Sequence, residues 1–140
     1  MQGSIDVGGA YREIMSLSCK DLMDGTVPLF AESPNGVNSV GLHREKRVLN
    51  PAATSPLHLE MYKFVGVLMG MALRSKFVLP LDLCPGVWKL IIGDELCEED
   101  LEAADKLCLQ ACTGLLNLSP DAFESAVEET FTTRLSGAWR

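Results

Sequence analysis

The sequence predicts a mostly α-helical chain with a small β-hairpin, an α+β arrangement in a single domain over residues 1–140. Three features predict it. Ser55-Pro56 is a helix-start signal followed by a long apolar run. Pro85 opens a second, shorter apolar stretch that Gly93 closes as a C-terminal cap. Between them and the amino terminus stands Asn35-Gly36, the strongest short hairpin signal, because both residues tolerate positive φ.

The elements follow in chain order. Gly8 and Gly9 precede an amphipathic stretch, Ala10 to Asp24, in which Tyr11, Ile14, Met15, Leu17 and Leu22 share a buried side. Arg12, Glu13, Lys20 and Asp21 fall on its periphery. Gly25 ends that helix. Val27 to Ala31 then reads as a strand running toward the Asn-Gly turn, with Val37 to Leu42 as the return arm. The basic cluster His43-Arg44-Glu45-Lys46-Arg47 reads as a solvated connector.

From Leu57 to Leu73 the residues are helix formers or apolar, and Phe64 to Leu73 contains no polar residue, so no face is assigned to solvent and the helix is expected inside a core. Its ten uncharged residues, bounded by Lys63 and Arg74, fall short of the roughly 20 needed to cross a bilayer, so no membrane partner is expected. Gly66 and Gly70 share one side and would admit a close backbone approach. Leu79 to Leu83 alternates about Pro80 and reads as an extended crossover leading to the Pro85 helix, with Val87, Trp88, Leu90, Ile91 and Ile92 as its apolar residues.

Glu98, Glu99, Asp100 and Glu102 crowd the start of the next helix, where they complement its positive end. Helical character continues from Leu101 through Leu116, in one run or two, with Leu101, Ala104, Leu107, Cys108, Cys112 and Leu115 as inward candidates. Ser119-Pro120 repeats the helix-start signal and opens a short acidic helix to about Thr130. Phe131 to Leu135 has strand propensity.

Composition narrows the functional classes. At 140 residues and 47% hydrophobic the chain is one domain in size. The net charge of −7 argues against a nucleic-acid partner held by phosphate contacts. Five cysteines without a CxxC pair and the absence of a secretory leader point to free thiols in a reducing compartment, hence an intracellular, cytoplasmic protein. The tripeptide Asn117-Leu118-Ser119 would then carry no glycan. Zinc wants four suitably spaced ligands, and neither His43 nor His58 has a cysteine pair near it in sequence; no metal site and no cofactor are expected.

Several stretches together resemble one family. NPAATSPLH at Asn50 to His58, FVGVLMGMALRS at Phe64 to Ser75 and LPLDLCPGVWKLIIG at Leu79 to Gly93 stand in an order similar to that of the HECT-type ubiquitin-protein ligases. DVGGAYRE at Asp6 to Glu13, Pro28-Leu29-Phe30 and Ser33 to Gly36 agree. The likeness covers roughly Ile5 to Leu116 and falls in the first part of the amino-terminal lobe, so it implies a partial HECT domain without the carboxy-terminal catalytic lobe.

What the resemblance implies about chemistry is mainly negative. HECT ligases carry ubiquitin as a thioester on a cysteine of the carboxy-terminal lobe, and Cys19, Cys84, Cys97, Cys108 and Cys112 match no such motif, so no catalytic residue is expected here. Arg12 and Glu13 belong to a family motif and are expected to pair structurally. Some members use an aromatic residue just before the NP motif in a second ubiquitin-binding surface; this sequence has none between Phe30 and Tyr62. The implied role is a helical scaffold within a ligase whose partners are a ubiquitin-conjugating enzyme and ubiquitin. The alternative is a truncated, non-catalytic interaction module that regulates a ligase. In either case helices without their usual neighbours would leave an apolar patch open to self-association.

Overall fold

The computed structural model describes residues 7–127, and the stretch expected to reach Thr130 and the strand expected at Phe131 to Leu135 lie outside them. The order of elements is α1 (Val7–Met23), β1 (Phe30–Glu32), α2 (Pro34–Val37), β2 (Arg47–Leu49), α3 (Pro56–Ser75), α4 (Pro85–Ile92), α5 (Glu98–Ala104), α6 (Lys106–Leu116) and α7 (Pro120–Ala126). The chain divides into two units, one comprising residues up to Phe30 with Ala52–Asp82, the other Ala31–Pro51 with the residues from Leu83 onward.

The first unit rests on one stripe from each of two helices. On α1 the buried residues are Met15, Cys19 and Leu22; on α3 they are Val65, Leu68 and Ala72, both sets at helical spacing. Leu29, Phe30, Ala53 and Leu81 complete this core. The Tyr62 hydroxyl donates to the Leu29 carbonyl, and its ring meets Phe30 edge-on with centroids 6.1 Å apart. Ser55 caps α3 as its sequence predicts, its hydroxyl accepting from the His58 N–H, with Pro56 in the first turn.

Three expectations for this unit are corrected. Ile14 and Leu17 lie exposed instead of sharing the buried side of α1. The apolar run of α3 does not place the whole helix in a core: Phe64, Val67, Met71 and Leu73 are exposed, because a single packed stripe covers one face of a helix and leaves the others open. Gly66 and Gly70 admit no close backbone, since a Cβ built on either meets nothing within 4 Å.

In the second unit β1 and β2 form a two-stranded antiparallel sheet. Its connection differs from the expected Asn-Gly turn. Ser33-Pro34 starts a helical turn, with the Ser33 hydroxyl accepting from the Gly36 N–H at 3.1 Å, and the return strand is Arg47–Leu49, not Val37 to Leu42. A helix start at Ser-Pro overrode the hairpin signal one residue later. Arg47 also bridges in parallel to Leu83, and its carbonyl accepts from the Cys84 N–H at 2.9 Å.

The four helices that follow begin close to where capping chemistry places them. Gly93 caps α4 at φ +74°. Asp105 separates α5 from α6, its carboxylate accepting from the Cys108 N–H as an N-cap. The break is held from a distance by Asn35, whose side chain is fully buried. Asn35 Nδ2 donates to the Glu102 carbonyl at 2.8 Å and the Leu42 carbonyl at 3.3 Å, and its Oδ1 accepts from the Lys106 N–H at 2.8 Å. One amide thereby pairs a carbonyl at the end of α5 with an N–H at the start of α6. Leu101, Leu107, Cys112 and Leu115 are exposed instead of inward, and Ala104 and Cys108 are half-buried.

Candidate functional site

The nucleophilic side chains of this chain are its five free thiols, Cys19, Cys84, Cys97, Cys108 and Cys112. Thiolate attack needs an accessible sulfur and a lowered pKa. Cys19 is buried on α1, and burial pushes its thiol up. Cys84 is buried between β2 and α4, and burial raises it, helped by the charge of Glu45 and opposed by that of Lys46. Cys108 is raised first by desolvation and then by its neighbour Cys112.

Cys97 is the exposed thiol with the most elaborate surroundings. It stands at the N-cap of α5 between Lys89 Nζ at 3.2 Å and Asp100 Oδ2 at 3.1 Å, and its N–H donates to the same Asp100 oxygen at 2.9 Å. Lys89 Nζ reaches that oxygen too, at 2.7 Å. Glu99 and Asp100 accept hydrogen bonds from the thiol and push Cys97 up despite the ammonium beside it. Asp100, chiefly through its hydrogen bond to Lys89, is lowered to about 2, and Lys89 is raised by the same bond. The group is an ion pair with a half capping box built on it, in which the thiol stays protonated.

Beside this ion pair α4 and α5 line a groove of about 350 Å3 with Val87, Leu90, Leu96 and Leu101, and Cys84 and Val48 also line it. In the first unit a smaller cleft of about 210 Å3 lies between Leu22 on α1 and Phe64 and Leu68 on α3. Both are apolar, which suits protein contact better than polar substrate chemistry.

The other residues weighed in the sequence are dispersed. His58 lies in the first turn of α3 with Nδ1 3.1 Å from the Ser55 hydroxyl. His43 is an exposed loop residue at φ +57°, lining a pocket with Glu99, Glu102 and Lys106. Of the basic cluster, residues 43–46 form the connector and Arg47 opens β2. Arg12 and Glu13 are both exposed on α1. Among the described residues no three His, Cys, Asp or Glu side chains gather around a point that could hold a metal ion.

Sequence reasoning missed the Lys89–Cys97–Asp100 group and the Asn35 staple. The sequence marks Asp100 as complementing the helix dipole, and its position three residues after an N-cap is a capping-box signal as well. Nothing local marks Lys89 or Asn35 as partners of residues 11 and 67–71 positions away.

Comparison with known proteins decides the family. A model of the HECT-domain (ubiquitin-transferase) matches residues 16–138. The chain belongs to the HECT-domain family. It is 41% identical over 101 residues, 72% of its length, to the E3 ubiquitin-protein ligase HERC2 of Mus musculus and of Homo sapiens. It is 25% identical over 134 residues, 94% of its length, to the E3 ubiquitin-protein ligase TOM1 of Saccharomyces cerevisiae. The chain spans about 2% of the length of the HERC2 proteins and 4% of TOM1. Ser33-Pro34, Ser55-Pro56, α4 with its Gly93 cap and the α5–α6 pair are therefore parts of a HECT domain.

Proposed function

We propose that this chain serves as helical scaffold in the amino-terminal lobe of a HECT-type ubiquitin-protein ligase, and that the thioester-forming cysteine lies outside it. The observation that carries this is the surroundings of its thiols: Cys19 and Cys84 are buried, Cys97 is held between Lys89 and Asp100, and these three and Cys108 are pushed toward the protonated form. A residue that accepts ubiquitin from a conjugating enzyme must do the reverse. On this reading a ubiquitin-conjugating enzyme and ubiquitin are partners of the intact domain, and the free thiols suit an intracellular, cytoplasmic setting.

The test is a thioester assay with activating enzyme, a panel of conjugating enzymes and labelled ubiquitin, resolved on a non-reducing gel beside an active full-length ligase. No reducible adduct on this chain is expected. An adduct would overturn the reading.

A second reading is favoured by the apolar side chains left open on α3, Phe64, Val67 and Leu73 among them. Here the chain is a non-catalytic interaction module that regulates a ligase, or associates with itself, through that face. Strong binding of a hydrophobic dye with concentration-dependent sedimentation supports it. A monomer with a sharp unfolding transition and no dye binding counts against it.

A further inference from the structure

Two sulfurs on α6 take no part in the ion pairs described above. Cys108 and Cys112 are separated by one helical turn on α6, Cys112 exposed and Cys108 half-buried. Side chains at i and i+4 lie one above the other, with Cβ atoms about 5–6 Å apart. A disulfide wants roughly 3.5–4.5 Å between those atoms, so direct oxidation of this pair would distort the helix.

A single bridging atom closes the gap without that distortion. A pyramidal centre bonded to both sulfurs holds them well beyond the ~2.05 Å of a direct S–S bond, which relaxes the demand on the Cβ separation. Zinc is a poor occupant, since it takes four ligands and the described residues offer no third donor at this point. We propose that Cys108 and Cys112 form a two-thiol site for a soft, thiophilic centre that needs only two sulfur ligands, with trivalent organoarsenic as the ligand class that fits.

Soft thiolate donors favour such centres over hard cations. The step is a condensation with no change of oxidation state. An arylarsine oxide gives up its oxygen and gains two As–S bonds, while the two thiol protons leave with that oxygen as one water. It consumes both sulfurs as thiols, the form in which burial and its neighbour hold Cys108. The remaining cysteines are poor competitors: Cys19 and Cys84 are buried, and Cys97 is engaged by Lys89 and Asp100.

The experiment adds phenylarsine oxide to the folded full chain and reads intact mass together with native thiol titration. One arsenic per chain is expected, with two accessible thiols lost. Cys108→Ser and Cys112→Ser should each weaken capture at least about tenfold, as expected when a chelate falls to a single soft ligand. Circular dichroism should be unchanged in Cys112→Ser, whose position is exposed, and Cys97→Ser should capture normally. Capture that survives Cys112→Ser, an arsenic shared between two chains, or no capture by the folded wild type would each overturn the proposal.

Discussion

Ten apolar residues are buried in the first unit and, among the described residues, no polar one. The second unit buries three apolar residues, Leu83, Cys84 and Val87, and three polar ones, Ser33, Asn35 and Asp100. One unit is held by stripes of hydrocarbon, which stabilise in proportion to area removed from water and tolerate imperfect geometry. The other relies on side chains that tie helix ends together, and a buried polar group stabilises only when its partners are all in place. Each is satisfied here: Asn35 by Leu42, Glu102 and Lys106, Asp100 by Lys89 and Cys97, Ser33 by Gly36. The second unit should therefore be the more sensitive to conservative changes in polarity, and the first to changes in volume.

The largest effect expected from this contrast is in the first unit. Leu68→Ala removes a buried side chain from the α3 stripe and should cost about 2–5 kcal/mol, read as a lower urea midpoint. Asn35→Ala should cost about 3 kcal/mol, since it leaves the Glu102 carbonyl and the Lys106 N–H without their partner. Its signature is local: amide exchange at Lys106 should rise well before that of α3. Equal loss of protection in both units would break the comparison.

The ion pair sharpens it through pH. Asp100 is held at about 2 in the folded chain against 3.8 for the free carboxyl, so the folded state favours the carboxylate. Its contribution is fully present above about pH 4 and is lost as pH falls toward 2. Lys89, raised in the folded chain, contributes below its ordinary value of 10.5 and ceases to do so as pH rises through its folded value. Asp100→Asn should flatten the acid limb of a stability-against-pH curve. An unchanged limb would assign acid sensitivity to other groups. The smallest effect is that of Ser55→Ala, about 1 kcal/mol for a lost N-cap, with the midpoint lowered and the baselines unaltered.

What was legible in the sequence is what is decided within four or five residues. Ser55-Pro56, Pro85 with Gly93 and Ser119-Pro120 act on their own backbone, and each marks an element where expected. At Asn35-Gly36 two local signals compete, and the helix start at Ser33-Pro34 prevails over the turn. Gly36 is also pressed against the Arg44 carbonyl, which would lie 2.5 Å from a Cβ, so close approach and not positive φ explains that glycine. Burial of α3 and α6 was overstated because periodicity identifies apolar residues without identifying what covers them. The thiols were legible only as matching no catalytic motif; their protonation depends on Glu45, Glu99, Asp100 and burial, all set by tertiary structure.

The central claim, that none of Cys19, Cys84, Cys97 and Cys108 is an activated acceptor thiol, is most directly tested by alkylating the folded protein with iodoacetamide across pH and following each of them by peptide mass spectrometry. Cys19, Cys84, Cys97 and Cys108 should each show a reactivity midpoint above that of a free thiol, about 8.5. A midpoint below about 7.5 at any of these four, the range of catalytic cysteines, would contradict it.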